Sequence, residues 1–479
     1  MVRRLGRDKK YMSDKETRKR LIILLISIFG IAVIIGLYAW VWFDFYHPFF
    51  LRWEDIKLYR RGHVLILGIY TVIFLLFSNL YGGLRIGFMK PMEVFMSQLF
   101  SLLCVNVITY FQLALIHGNL IPASPLVEVF GMQLVWSAVW IFFANQVYRR
   151  IFPPRKLLLI HGDRSIDDIL HKFASRKDKY AIVKCMGLDE GAEALFDEME
   201  KGYGGIVLWD IPTAVRNKLL KYCYSRSIRI YLMPKIPDVI IKGSEQLHLF
   251  DTPILLTREN ALTVEQRIIK RCIDIICALI LLVIASPFML VTAIAIKLYD
   301  GGPVLYKQVR CTTGQREFYI MKFRSMRTDA EKDGVARLAQ KGDKRITPVG
   351  KVIRKCRLDE LPQLINILRG DMSFIGPRPE RPEIIAQYME VMPEFAFRMK
   401  VKAGLAGFAQ VYGKYNTSPY DKLKLDLTYI ENYSVWLDLK LMLLTLKVLF
   451  WPDSTEGVES EQVTAFKATY DGRAEKDDD

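Results

Sequence analysis

The chain has 479 residues, a hydrophobic content of 51% and a formal net charge of +16 at pH 7. This length allows two or three domains, and the positive mean hydropathy indicates a membrane component. The excess of Lys and Arg suits anionic lipid headgroups or a phosphorylated substrate. The sequence has no zinc-finger spacing, RNA-binding aromatic signature or basic zipper, so we predict no nucleic-acid partner. Seven scattered cysteines without a CxxC pair indicate ordinary reduced thiols.

Four apolar segments predict four membrane spans over residues 21–43, 63–81, 92–116 and 126–148. Each is long enough to cross a hydrocarbon layer of about 30 Å at about 1.5 Å per residue. The first has no small-residue cleavage site and reads as a retained anchor. The basic stretch 1–20 and the sequence "YRRIFPPRK" after the fourth span place both ends of this block in the cytoplasm. Residues 52–61, which carry acidic and basic side chains, are then expected outside.

Beyond residue 154 the pattern changes to short apolar runs, "KLLLI", "YAIVKC", "GGIVLW" and "IRIYLM", separated by stretches with helical spacing. This alternation predicts a small parallel α/β domain over residues 155–260. The first strand is followed by "HGDRS", which lacks the G-x-G-x-x-G turn of dinucleotide sites. We therefore favour a structural or regulatory module over a nucleotide site.

A fifth apolar segment covers residues 272–296 and contains Ser286-Pro287 in its middle. Proline removes an amide donor and favours a kink, and the neighbouring Ser can satisfy a freed carbonyl. Two alternatives remain open from these residues: a plain fifth span, or a helix that bends and returns to the same side. Only the second keeps the rest of the chain in the cytoplasm.

The region after Gly301 is soluble in character and rich in cations, carried by the strand-like segments "VLYKQVR" and "FYIMKFRSM" and by later loops. Guanidinium groups fit phosphate oxygens bidentately, so this accumulation predicts a phosphate-binding region. The candidate cations are Lys307, Arg310, Lys322, Arg324, Arg327, Arg345, Arg354, Arg357, Arg378 and Arg381.

Two adjacent carboxylates, Asp359 and Glu360, stand in "RLDELPQL" before an apolar stretch that Gly370 is placed to end. Asp359 is a candidate helix N-cap, which needs no further explanation. It is equally a candidate nucleophile, because an ionised Asp at an electropositive helix start, with Mg²⁺ and arginines, can attack phosphorus. Glu360, about 100° further round, would then serve metal binding or proton transfer.

Residues 264–452 resemble the bacterial sugar transferase family, the polyprenyl-phosphate hexose-1-phosphate transferases. The resemblance is carried by "KRCIDIICALILL", "KLYDGGPVLYKQVR", "KFRSMRTDAE", "DKRITPVGKVIRKCRLDELPQLINILRGDMSFIGPRPE", "KAGLAGFAQVYG" and "YIENYSVWLDLKL". The four preceding spans and the α/β module look like the large multi-span branch, related to undecaprenyl-phosphate galactose or glucose phosphotransferases.

The resemblance implies a membrane α/β protein of five parts. After a basic cytoplasmic N-terminus (1–20) come a four-helix transmembrane bundle (21–150) and a Rossmann-like parallel α/β module lacking the GxGxxG loop (155–260). A monotopic α+β catalytic domain (264–455) with a re-entrant helix (272–298), broken at Ser286 and Pro287, precedes a polar tail (456–479).

The implied reaction transfers sugar-1-phosphate from a UDP-sugar to undecaprenyl phosphate at the cytoplasmic face of the bacterial plasma membrane. It releases UMP and starts exopolysaccharide, capsule or O-antigen synthesis. In the family the Asp of the dyad, here Asp359, is the nucleophile and Glu360 assists, both with Mg²⁺. The Arg of the Pro-Arg-Pro motif, here Arg378, belongs to the nucleotide-phosphate site. We expect substrate contacts also from Arg354, Arg357, Lys322, Arg324, Arg310 and Glu380. A homodimer and contacts with later glycan-assembly enzymes are further expectations.

The sequence departs from the family pattern at Thr312, where many relatives have Gly, and at Phe408, Tyr412 and Tyr433. The first puts the fit of substrate there in question, and the others put the sugar preference in question. Two rival hypotheses stay open, direct transfer in a ternary complex and a non-catalytic scaffold for polysaccharide assembly. Trp436 and the apolar run 437–450 suit an interfacial helix or a core helix equally.

Overall fold

The computed structural model describes residues 2–54, 60–249, 251–257, 261–328, 343, 345–413 and 417–449. The chain divides into two compact units, Met1–Met233 and Pro234–Asp479. The predicted polar tail lies outside the described residues.

The first unit begins with a series of helices, and a π-helical segment, Trp42–Tyr46, joins the first of them to the second. The helices are α1 (Val2–Val41), α2 (His47–Glu54), α3 (Arg60–Tyr81), α4 (Pro91–His117) and α5 (Ser124–Ile151). Four stretches of them are long and apolar enough to cross a membrane, Arg20–Arg52, Arg60–Tyr81, Pro91–His117 and Ser124–Ile151. They coincide with the four predicted spans. The first is longer than predicted because the helical backbone continues through the π-helical segment into α2.

A buried polar network joins the four long helices. Gln133 on α5 donates to the Tyr70 hydroxyl on α3 at 2.8 Å and to the carbonyl of Ile34 on α1 at 3.1 Å. Asn106 on α4 donates to Gln133 Oε1 at 3.1 Å, and Tyr70 stacks on Tyr38 of α1. Inside an apolar bundle such hydrogen bonds fix which helix faces meet.

The rest of the first unit is an α/β module whose sheet is parallel, with strand order β2-β1-β3-β4. Its elements are β1 (Arg155–His161), α6 (Asp167–Ala174), β2 (Tyr180–Gly187), α7 (Ala192–Met199), β3 (Gly205–Trp209), α8 (Thr213–Ser225) and β4 (Ile230–Leu232). Strand β1 is buried on both faces, because Leu157 and Leu159 enter one hydrophobic cluster while Leu158 and Ile160 enter the other. The predicted parallel α/β arrangement is confirmed.

The second unit starts earlier than the predicted end of the α/β module at residue 260. Helix α9 (Ile236–Gly243) buries Ile236 and Val239 in the core of the second unit. An antiparallel hairpin follows, β5 (Glu245–Leu249) and β6 (Thr252–Leu256). A short connection with apolar helical spacing carries no sequence signal of which neighbouring core it joins.

The remaining elements of the second unit enclose one large core that includes Leu364, Ile367, Phe395 and Leu427. They are α10 (Val264–Asp300), β7 (Leu305–Cys311), β8 (Glu317–Phe323), α11 (Pro348–Lys355), α12 (Gln363–Arg369), β9 (Ser373–Ile375), α13 (Pro382–Val391), β10 (Gly404–Ala406), α14 (Phe408–Tyr412), α15 (Pro419–Glu431) and α16 (Val435–Leu449). Three 3₁₀ segments interrupt them, Thr313–Gln315, Leu358–Glu360 and Pro393–Lys400. Strands β7 and β8 pair antiparallel, and β9 pairs with β10 in parallel.

Helix α10 is assigned over 37 residues with Pro287 inside it, and is a fifth candidate span. Its first third is anchored by Lys270, which bonds to Asp438 of α16 at 2.6 Å, and by Asp274, which accepts from Ser373 at 3.0 Å. At its other end Asp300 forms a two-pronged ion pair with Arg324, the residue that follows β8. Both ends are therefore attached to the same domain.

The middle of α10 exposes large apolar side chains, including Val283, Ile284 and Phe288. Ser286 Oγ donates to the carbonyl of Val283 at 2.8 Å, as expected of a Ser beside a helical proline.

Helix α16 is buried in part and exposed in part, and its interfacial location stays a prediction. Leu441 and Leu444 are buried in the domain, whereas Trp436, Leu446 and Leu449 are exposed.

Candidate active site

The two carboxylates lie in the 3₁₀ turn Leu358–Glu360, between α11 and α12. Arg357, just before it, has a left-handed backbone with φ 56°. Helix α12 starts only at Gln363, with Pro362 as its N-cap, so the prediction of Asp359 as an N-cap is wrong. Pro362 has no amide hydrogen, so it cannot extend the helical hydrogen-bond ladder back to the dyad. The bond from Leu361 N to Leu358 O instead closes a 3₁₀ turn, which is tighter than an α-helical turn. The helix does end at Gly370, as predicted.

Glu360 is held by cations from three separate elements, all directed at its Oε1 atom. Arg378 Nη2 lies 3.0 Å away, Lys322 Nζ 3.2 Å and Arg357 Nη1 3.9 Å. Burial favours the neutral form of Glu360, but these three cations outweigh it and hold its pKa well below the usual range. Glu360 is therefore the member of the pair whose ionised form is favoured.

Asp359 behaves in the opposite way. Burial, and then the negative charge of Glu360, raise the pKa of Asp359, although Lys322, Arg354 and Arg357 oppose this. Its Oδ1 atom is inaccessible to solvent and has no hydrogen-bond partner among the described residues. A buried carboxylate oxygen without a donor is costly, and such groups mark places that a ligand completes. In this pair the Glu360 carboxylate is paired with cations, whereas the Asp359 carboxylate keeps an oxygen without a hydrogen-bond donor among the described residues.

The segment 377–380, which carries the Pro-Arg-Pro motif, is fixed through four consecutive carbonyl groups. Gly404 N donates to the carbonyl of Pro377 at 2.9 Å, and Cys311 N to that of Glu380 at 3.1 Å. Arg398 Nη2 donates to the carbonyl of Arg378 at 2.9 Å, and Arg310 Nη1 to that of Pro379 at 3.2 Å. The side chains of Arg310 and Arg398 thus satisfy two backbone carbonyls of the segment that carries Arg378.

The predicted substrate-contact residues fall into two groups. Lys322, Arg354, Arg357 and Arg378 surround the dyad. The others are engaged elsewhere, as follows.

Arg324 is 7% exposed, paired with Asp300 and donating to the carbonyl of Pro303. Arg310 lies behind the Pro-Arg-Pro segment, with its Nη1 atom 3.6 Å from Glu380 Oε2. The described contacts of Arg324, Arg310 and Glu380 therefore join parts of the domain to one another.

Asn366 joins α12, the helix that follows the dyad, to the hairpin that carries Lys322, and sequence reasoning missed it. Its side chain accepts from Met321 N at 3.0 Å and donates to the carbonyl of Tyr319 at 2.8 Å. The available signal was an Asn within the apolar stripe of "LPQLINIL", where an uncompensated polar group would be expensive.

Thr312 does not occupy exposed space beside the dyad. It is buried, accepts from Ala403 N at 3.1 Å and donates to the carbonyl of Asp371 at 2.9 Å. Its hydroxyl therefore joins two loops of the domain.

No group of three or more His, Cys, Asp or Glu suited to a metal ion occurs in the described part of the chain. Mg²⁺ in phosphoryl-transfer sites is commonly held by only one or two carboxylates, with substrate phosphates and water completing its shell. Asp359, with its unpartnered buried oxygen, and the adjacent Glu360 fit that requirement.

Comparison with known proteins points to one family. Residues 265–452 match the model of a family described as bacterial sugar transferase. The chain is 46% identical over 235 residues to a UDP-N-acetylgalactosamine-undecaprenyl-phosphate N-acetylgalactosaminephosphotransferase of Aeromonas hydrophila, covering 48% of this chain and 55% of that protein. The chain thus spans only about half the length of this relative.

Two shorter relatives are covered more completely. A UDP-glucose:undecaprenyl-phosphate glucose-1-phosphate transferase of Caulobacter vibrioides is 40% identical over 190 residues, 39% of this chain and 71% of that protein. The uncharacterized sugar transferase EpsL of Bacillus subtilis is 40% identical over 207 residues, 43% of this chain and 98% of that protein. With the dyad and the Pro-Arg-Pro segment assembled at one site, the chain belongs to the bacterial sugar transferase family.

Proposed function

We propose that this protein transfers a sugar-1-phosphate from a UDP-sugar to undecaprenyl phosphate, releasing UMP and starting synthesis of a bacterial surface polysaccharide. The names of its relatives support this reaction class. The observation that carries the site assignment is the contrast within the dyad. Glu360 is paired with cations, while Asp359 keeps a buried oxygen without a donor among the described residues.

In the first step, the ionised Asp359 carboxylate attacks the phosphorus that bears the sugar. A bond forms between the carboxylate oxygen and phosphorus, and the bond from that phosphorus to the bridging oxygen breaks, so UMP leaves with the electron pair. The product on the protein is an aspartyl phosphodiester that carries the sugar.

In the second step, a phosphate oxygen of undecaprenyl phosphate attacks the same phosphorus. The bond to Asp359 breaks, which restores the carboxylate and yields the lipid diphosphate sugar. Dividing the reaction avoids bringing two anionic substrates together in one displacement.

The cations around the dyad serve the diphosphate of the substrate. Arg378 is the most exposed of them, with 44% of its side chain accessible, and is the candidate for the nucleotide phosphates. Lys322 lies deeper, with 22% accessible, and keeps Glu360 ionised. Arg354 and Arg357 lower the pKa of Asp359 against the effect of burial, which favours its reactive ionised form.

Asp359 and Glu360 are the residues that would hold Mg²⁺. When bound, the cation supplies Lewis-acid polarisation of the diphosphate and neutralises charge on the leaving group. Binding it would also bring Asp359 to its ionised form at neutral pH, because a cation favours the carboxylate.

We further propose that α10 enters and leaves the membrane on the cytoplasmic side. The support is that Lys270 and Asp274 near one end, and Asp300 at the other, bond to the same domain. A straight crossing helix would put its ends on opposite sides of a layer about 30 Å thick. A bend at Ser286-Pro287 leaves the exposed apolar middle in lipid.

The experiment is UMP release from a panel of radiolabelled UDP-sugars, with undecaprenyl phosphate and Mg²⁺, by wild type and by Asp359→Asn. We expect turnover with at least one sugar and its loss in the variant. Wild-type turnover in Asp359→Asn would refute the covalent mechanism. A protein that neither turns over nor binds any UDP-sugar would instead favour a scaffold for polysaccharide assembly.

Direct transfer in a ternary complex is tested by omitting the lipid acceptor. The two-step mechanism predicts one UMP per active site and a sugar-phosphate adduct on the peptide that contains Asp359. Absence of that adduct in an enzyme that turns over would favour direct transfer. The homodimer and contacts with later assembly enzymes stay predictions.

A further inference from the structure

The Pro-Arg-Pro segment has an unusual backbone requirement. Pro377 and Pro379 carry no amide hydrogen, so the segment is rich in acceptors and poor in donors. Each carbonyl from residue 377 to residue 380 accepts a bond from another element, and the donor to the carbonyl of Arg378 is a side chain, Arg398.

Arg398 is unsuited to touching substrate, because only 5% of it is exposed. It lies in the 3₁₀ segment Pro393–Lys400, and its guanidinium carbon sits 4.8 Å from the centre of the Phe395 ring. Its Nε and Nη2 atoms lie 3.0 and 2.9 Å from Asp426 Oδ2. Asp426, on α15, is itself 1% exposed.

A buried Arg–Asp pair alone has no functional meaning, since such pairs are often replaceable by apolar residues of similar volume. The third partner distinguishes this one. Arg398 Nη2 bonds to the main chain of the residue whose side chain reaches Glu360, and Arg398 Nη1 lies 4.0 Å from Glu380 Oε1, two residues further on. The pair therefore holds the segment from behind, while Arg378 points towards the dyad.

We propose that Arg398, oriented by Asp426, is a positioning residue that sets the location of Arg378 for the substrate diphosphate. The inference rests on the proposed function. Arg398 acts through Arg378 and has no contact of its own with the reacting groups. Small displacements of a binding group can cost up to about a hundredfold in rate, so its loss has measurable consequences.

The main test is a double-mutant cycle with Arg398→Lys and Arg378→Ala, read as kcat/KM for the UDP-sugar. Lysine keeps the positive charge beside Asp426 but cannot reach two acceptors in the fixed fork geometry of arginine. We expect Arg398→Lys to lower kcat/KM about tenfold or more. In the Arg378→Ala background the same change should cost less than about twofold, because the positioned side chain is already absent.

A merely structural role predicts the same fold-loss in both backgrounds, and that result would overturn the inference. A second variant, Arg398→Met with Asp426→Leu, removes the whole pair while keeping the core filled. It should unfold near the wild-type temperature yet show the same loss of kcat/KM, again only when Arg378 is present. Wild-type kcat/KM in this folded variant would likewise overturn the inference.

Lys424→Gln is the matched control, because it removes a charge from α15, the helix that carries Asp426. Lys424 pairs there with Asp421 at 2.8 Å. It should leave kcat/KM unchanged in either background. Lack of turnover by the wild type would refute the proposed function, whereas an active wild type with multiplicative losses would refute only the positioning role.

Discussion

Arg378 Nη2 and Glu360 Oε1 lie 3.0 Å apart, although the two residues belong to different segments 18 positions apart. This pairing joins the Pro-Arg-Pro motif to the dyad. Together with Lys322, Arg378 balances the negative charge of Glu360. Glu360 also raises the pKa of its neighbour Asp359. Glu360 therefore contacts the side chain proposed to bind phosphate and raises the pKa of the proposed nucleophile.

Glu360→Gln should lower kcat/KM on the order of a hundredfold, because Lys322 and Arg378 lose the anion that orients them. The acid limb of the pH profile should also move. In the proposed mechanism only ionised Asp359 attacks, so activity should fall as pH drops through its pKa, which burial and Glu360 raise. Without the charge of Glu360 that limb should shift to lower pH. The pH dependence of kcat/KM measures both effects.

The control for this experiment is Glu383→Gln, which removes an exposed carboxylate from the same unit. Its profile should overlay that of the wild type. An acid limb that stays in place in Glu360→Gln would disprove the electrostatic coupling within the dyad.

Asp359→Asn should stabilise the folded protein near pH 8. The folded-state pKa of Asp359 is raised, so its contribution favours folding below the unfolded pKa and is lost as pH rises through the folded value. Removing the charge should raise the unfolding temperature, by about 2–4 °C for each kcal/mol in a domain of this size. The gain should shrink as pH falls and wild-type Asp359 becomes protonated. Thermal unfolding in detergent without Mg²⁺ measures this, and a lower unfolding temperature at pH 8 would contradict it.

The sequence predicted the elements that have their own periodicity. The four long helices and the parallel strands of the α/β module are set by runs of apolar residues that need no distant partner to be recognised. Assignments that depend on distant contacts were not accessible in this way. Helix α9 joined the second unit because Ile236 and Val239 pack in that core, which no local pattern announces.

The same division holds at the active site. "RLDELPQL" and "GPRPE" predicted Asp359, Glu360 and Arg378 as candidate site residues, but not that Arg378 and Lys322 converge on one oxygen. Arg324 was predicted as a substrate contact because basic residues look alike in sequence. Its ion pair with Asp300 depends on the tertiary fold, so no local pattern indicates it. Asp426 had a faint signal, an acid among the buried positions of α15.

Asp438→Asn should destabilise the second unit by about 3–5 kcal/mol, because it leaves Lys270 buried without its counter-charge. Lys270 Nζ also donates to the carbonyl of Ile375 and to Tyr429, so the pair ties α10 to two other elements. Lys270→Met combined with Asp438→Leu should recover most of that loss. Lys440→Gln on the same helix is the control. Chemical unfolding measures all three, and an additive double variant would refute the coupling.

Gln133→Leu should loosen the helix bundle while sparing catalysis. It removes the bonds to Ile34, Tyr70 and Asn106, each worth about 0.6 kcal/mol inside a membrane protein. Detergent-unfolding curves of the bundle should shift, with UMP release within about twofold of wild type. Val139→Leu, at an exposed position of α5, is the control. A large fall in turnover would instead assign the bundle a role in the reaction.

The path of α10 can be tested by labelling single cysteines from one side of sealed vesicles with a membrane-impermeant maleimide. Native Cys272 and an introduced Leu298→Cys are both exposed and lie near opposite ends of the helix. In a background otherwise free of cysteine that retains turnover, re-entry predicts that both react from the cytoplasmic side. Val283→Cys, in the exposed apolar middle, should resist labelling because lipid covers it. Asn119→Cys, between α4 and α5, should react from the opposite side, and reaction of Leu298→Cys from that side would establish a crossing helix.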